Sequence, residues 1–251
     1  MRVRGTGFGG LRGFGGLRGT LAIAYAVLWC GGVVSYAVRG GTPQGAEWAP
    51  PLTLALALAI AALHAPPGTG PWLAAAGAVG LGAEIAGVHT GVPFGRYTYT
   101  PALGPMLLGV PLAIGAAWVV LAACALSMAA AWTPDRRGRA LLAAAWMVAM
   151  DLVLDPLASG PLGLWSWDSP GRYHGVPLSN FAGWFAVSLV IFLAAPAAPS
   201  RAALRSLGAS LAVFFGVVAA AAGQLAPALV AAALAGASIA TEVRARKRHE
   251  A

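Results

Sequence analysis

Apolar residues in this chain come in long unbroken runs, not in the alternation of strands or the one-sided stripe of a surface helix. Crossing a hydrocarbon core takes about 20 mostly apolar residues. On that measure eight spans are predicted, over 20–38, 48–64, 71–88, 104–131, 140–158, 179–196, 203–222 and 225–241. Only Gly223 and Gln224 separate the last two, so a single long kinked helix, giving seven spans, is the competing reading. The expected fold class is an all-α integral membrane bundle. One transmembrane domain covers 20–241, between a Gly-rich basic tail at 1–19 and a basic tail at 242–251. The first tail carries GFGGLR twice, at 7–12 and 13–18, and is expected to be flexible.

Composition supports lipid as the solvent. Charged residues make up 10% of the chain and hydrophobic ones 59%, where a soluble domain carries about 25% charged residues. A net charge of +8 invites a nucleic-acid partner, but its placement argues against one. With eight spans and the N-terminus inside, 13 of the 16 Lys and Arg residues fall on inner segments and 3 (Arg39, Arg96, Arg172) on outer loops. Seven spans would move RARKRH outside and spoil the bias. Both termini are therefore expected in the cytoplasm, with anionic lipid headgroups as their partners. Cys30 and Cys124 both fall inside spans and read as small packing residues.

Three carboxylates interrupt the apolar runs: Glu84, Asp151 and Asp155. An acidic side chain at a helix centre costs about 2.5–3.5 kcal/mol on the lenient insertion scale, so each marks a candidate site. No Lys or Arg lies in a span core to neutralise them. Asp151 and Asp155 are four residues apart and share one helix face. The topology sends span 3 and span 5 outward. Their two following loops are rich in polar and aromatic residues, and both lie on the outer side. Glu84, Asp151, Asp155, Asn180 and Trp184 can then point into one cavity near the outer leaflet.

Blander readings stand beside this one. Asp155 precedes Pro156 and can simply help to end a helix. Ser179 and Asn180 can cap the next helix. Tyr97, Tyr99, Trp165, Trp167 and Tyr173 can belong to an interfacial belt. His89 and His174 can hydrogen-bond within loops. Two histidines in separate loops are too few for a metal site, and no nucleotide-binding glycine motif, HExxH or Cys pair is present. DLVLD resembles one acidic motif of intramembrane prenyltransferases, but a second such motif is missing.

The strings GAEIAGVHTGVPFGRYTYT, MDLVLDPLASGPLGLWSW and YHGVPLSNFAGW resemble the carotenoid biosynthesis family of CruF-type carotenoid 1,2-hydratases and bisanhydrobacterioruberin hydratases. The similarity covers roughly residues 75–195. It implies a multi-pass cell-membrane enzyme that adds water across the terminal C1,C2 double bond of an acyclic carotenoid. Lycopene, γ-carotene or a C50 relative would serve, without metal or cofactor, beside other carotenoid enzymes.

Such a reaction needs an acid, a positioned water, a base and a pocket that tolerates positive charge. A protonated carboxyl beside an ionised one supplies the first and third, and aromatic faces supply the last. The acid is expected to be Asp151 or Glu84, with Asp155 orienting or deprotonating the water. His89, Arg96, Tyr97, Trp165, Trp167, Asp168, Tyr173, His174, Asn180 and Trp184 are expected around the substrate and water. The rivals are a carotenoid end-group cyclase, a prenyltransferase and a proton-coupled transporter. No inverted repeat relates the two halves, as many transporters would require.

Overall fold

A computed structural model describes residues 16–250, with side chains through Arg244. The duplicated GFGGLR segment lies almost wholly outside the described residues. Within them the chain forms eight α-helices: α1 Leu17–Arg39, α2 Ala49–His64, α3 Gly70–Thr90, α4 Leu112–Trp132, α5 Arg136–Ser159, α6 Leu178–Leu193, α7 Ala202–Ala221 and α8 Leu225–Glu250. Six are long and apolar enough to cross a membrane, while α2 and α6 have 16 residues each. The protein is an all-α integral membrane bundle.

The last two spans are separate helices. The turn between them carries Gly223 at a φ of 71°, a left-handed conformation that glycine adopts without strain. Two boundaries differ from the sequence reading. The first helix begins at Leu17, inside the expected tail, and α8 continues as helix to Glu250.

The larger difference is at span 4, whose helix starts at Leu112 rather than 104. Residues Met106–Leu107 (β2) and Val110–Pro111 (β3) pair as a small hairpin instead. Its turn residues Leu108 and Gly109 both have positive φ, 48° and 82°, the signature of a tight two-residue hairpin. Pro105 and Pro111 lack the N–H groups that a helix there would need. Apolar character alone had merged hairpin and helix into one run.

Helix α4 is the central strut, packed by α2, α3, α5, α7 and α8, and its second half from Val120 to Ala129 is buried throughout. Helix α1 is peripheral. Tyr25 is its one buried residue, while Val27, Val34 and Val38 are exposed to the surrounding lipid.

Two connections meet over one end of the bundle. Tyr97–Tyr99 (β1) follows α3 and Trp165–Trp167 (β4) follows α5, and they pair antiparallel with Tyr97 opposite Trp167 and Tyr99 opposite Trp165. This ribbon closes the end of the space between α3, α4, α5 and α6. At the opposite end Arg205 forms an ion pair with Glu242 at 2.7 Å. Among the described residues no cation pairs with Glu84, Asp151 or Asp155.

Candidate active site

Close helix contact creates the site. A Cβ at Gly80 of α3 would stand 2.2 Å from Cγ of Trp118 on α4. Only a glycine there lets the Trp118 ring lie across α3, one turn from Glu84. Trp118 in turn stacks on Trp184 of α6, with ring centres 4.3 Å apart and planes 13° apart. The start of α6 is held by a second glycine: a Cβ at Gly183 would meet the Pro93 carbonyl oxygen at 2.7 Å.

Glu84 is buried and faces only donors. Tyr97 Oη donates to Glu84 Oε2, Tyr99 Oη donates to the same oxygen at 2.9 Å, and Trp118 Nε1 donates to Oε1 at 3.2 Å. Three donors and no acceptor are the complement of a carboxylate, which accepts at both oxygens and donates at neither. Burial, with Glu84 beside them, holds the phenols of Tyr97 and Tyr99 well above their ordinary range, so both stay donors.

Asp151 and Asp155 are arranged differently. Asn180 Nδ2 donates to Asp151 Oδ2 at 2.6 Å and to Asp155 Oδ2 at 2.5 Å. One amide nitrogen thus gives a hydrogen to each carboxyl, which fixes the amide orientation. Trp165 Nε1 donates to Asp155 Oδ1 at 2.8 Å. Asp151 therefore receives one donor and Asp155 two. The ribbon reaches both acid-bearing helices: β1 serves Glu84 on α3, and β4 serves Asp155 on α5.

A cavity of about 80 Å³ lies among these groups. Glu84, Asp151, Asp155, Tyr97, Tyr99, Trp118, Trp165, Trp167, Asn180 and Trp184 line it, with Ile114, Ala117, Leu121 and Leu154 as its greasy side. At about 30 Å³ per water, it has room for a few waters or the tip of a chain.

Five of the residues expected around the substrate do not line it. His89 is exposed and its Nε2 bonds the Leu108 carbonyl at 3.1 Å. Arg96, Asp168 and His174 are exposed. Tyr173 lies behind α5, with its hydroxyl on the Leu152 carbonyl. Conversely, Trp118 was not singled out from sequence. Within an apolar span a Trp reads as packing, and only its four-residue spacing from Ile114 and three-residue spacing from Leu121 hinted at a shared face. Among the described residues no three His, Cys, Asp or Glu side chains cluster as a metal site would require.

A model of the carotenoid biosynthesis protein family matches residues 51–239. The chain belongs to that family. The match runs from the first turn of α2 into α8 and takes in both halves of the ribbon. Among curated relatives is the bisanhydrobacterioruberin hydratase of Haloarcula japonica, 37% identical over 129 residues. That alignment covers 49% of this chain and 43% of the relative, so the chain spans less than half of the relative's length. No solved structure matches the chain.

Proposed function

We propose that this membrane protein is a carotenoid hydratase that adds water across the C1,C2 double bond of an acyclic carotenoid end. The observation that carries this reading is the pairing of Asp151 and Asp155 through one Asn180 nitrogen, inside an aromatic cavity that also holds Glu84. Family membership and the relative's name support the substrate class.

The roles follow from the donor inventory. Asp151, with one donor and a free second oxygen, carries the proton and delivers it to C2. The π electrons form the new C–H bond and leave a tertiary cation at C1. Water adds its lone pair to C1, and its proton passes to Asp155. The pair ends the cycle with one proton, as it began. Glu84, whose two oxygens accept from three donors, offsets the cation electrostatically. Trp118, Trp184, Trp165 and Trp167 line the same cavity, and aromatic rings there attract the cation. The chemistry requires no redox cofactor and no metal.

The polyene lies in the bilayer, with the cavity toward the outer leaflet of the cell membrane and both termini in the cytoplasm. This orientation follows from the distribution of basic residues, 13 inner and 3 outer. Expression beside a lycopene pathway, followed by pigment mass analysis, tests the reading. Hydration adds the mass of one water per reacted end. A cyclase would leave the mass unchanged and shorten the conjugated chain's acyclic end into a ring.

A further inference from the structure

Two tryptophans sit on the same face of β4, two residues apart. Trp165 commits its indole N–H to Asp155 at 2.8 Å. Trp167 does not: its Nε1 is buried and makes no hydrogen bond of regular geometry to any described residue, in a cavity that Asp155 also lines. Three other buried polar atoms share that condition, on Trp146, Ser188 and Gln224, but none of those residues lines the cavity. The Trp167 ring is held by Tyr97, its partner across the ribbon, at a centre separation of 4.8 Å. An unpartnered N–H and a carboxylate that line one cavity with room for water make a water-binding arrangement.

We propose that Trp167 binds the water that is added. This deepens the hydratase reading and rests on it. The water accepts from Trp167 Nε1 and donates to Asp155, whose oxygens each have a lone pair beyond those used by Trp165 and Asn180. Its remaining lone pair is aimed into the cavity. When the cation forms, that lone pair makes the C1–O bond and the donated proton moves onto Asp155. Trp167 is thus a positioning residue for the nucleophile, separate from the acid that starts the reaction.

The test uses the full chain in membranes, supplied with lycopene in deuterated water. A cation that is not captured loses a proton and returns to alkene, carrying deuterium. The readout is the ratio of alcohol formed to deuterated alkene recovered, which does not depend on how much protein accumulates. Trp167→Phe keeps the ring and removes the N–H, and is expected to lower that ratio at least tenfold. Trp167→His, which keeps a ring N–H, is expected to recover part of it. Trp146→Phe, outside the cavity, is expected to match the parent. An unchanged ratio in Trp167→Phe overturns the proposal, whether turnover is normal or uniformly reduced. A parent protein that yields neither alcohol nor deuterated alkene overturns the hydratase reading instead.

Discussion

Tyr173 donates its hydroxyl at 3.0 Å to the backbone carbonyl of Leu152, the carbonyl that Pro156 leaves without a helical partner. Proline has no N–H to offer the residue four positions before it. In hydrocarbon that carbonyl would go unpaired, on the very turn that carries Asp151 and Asp155. The loop after α5 folds back and supplies the missing donor. A residue expected beside the substrate thus holds the helix that bears the acid pair.

Tyr173→Phe should therefore lower stability more than it lowers substrate affinity. Loss of a partner for a part-buried carbonyl costs about 1–3 kcal/mol. A lower unfolding midpoint in detergent, with KM near the parent value, is the expected outcome. A raised KM at unchanged stability would return Tyr173 to the substrate pocket.

Asp151→Asn should remove the acid while keeping size and span insertion. General acid catalysis contributes about 10²–10⁴ in rate, so hydration is expected to fall by that order while protein level in the membrane stays normal. Turnover measured on equal amounts of membrane protein checks this. Near-normal turnover would exclude Asp151 as the proton donor.

Glu84→Gln should behave differently from Asp151→Asn. The new amide would turn an NH₂ toward Tyr97, Tyr99 or Trp118, each already a donor. At least one buried donor then loses its acceptor, at about 1–3 kcal/mol. The expected result is a lower unfolding midpoint together with slower hydration, against slower hydration alone for Asp151→Asn. Thermal unfolding of the two variants side by side makes the comparison.

Gly80→Ala places a methyl where the Trp118 ring runs, 2.2 Å from Cγ. Overpacking of this kind costs about 1–3 kcal/mol. It also pushes the indole away from Glu84 and Trp184. Both the unfolding midpoint and turnover are expected to drop. Gly82→Ala, on the same helix with nothing within 4 Å of its Cβ, is expected to match the parent in both.

Much of this was legible in the chain. The apolar runs gave the helices because lipid imposes one pattern on every span. Glu84, Asp151, Asp155 and Asn180 stood out because hydrocarbon makes a stray polar group costly. The ribbon was harder to see. Its strands are three residues each and lie 68 positions apart from Tyr97 to Trp165, so no local signal joins them. Tyr97–Thr98–Tyr99 and Trp165–Ser166–Trp167 do share one aromatic–hydroxyl alternation, the period of a strand. Residues His89, Arg96, Asp168 and His174 drew notice as polar groups near the strings that matter, but polarity in a loop carries no direction, and they are exposed and do not line the cavity.

The most direct test of the account is the fate of water itself. Membranes bearing the protein are supplied with lycopene in water labelled with heavy oxygen, and the pigments are weighed by mass spectrometry. One labelled hydroxyl is expected for each reacted acyclic end, and none with Asp151→Asn. An isomer of unchanged mass, or a labelled product that persists in Asp151→Asn, would contradict it.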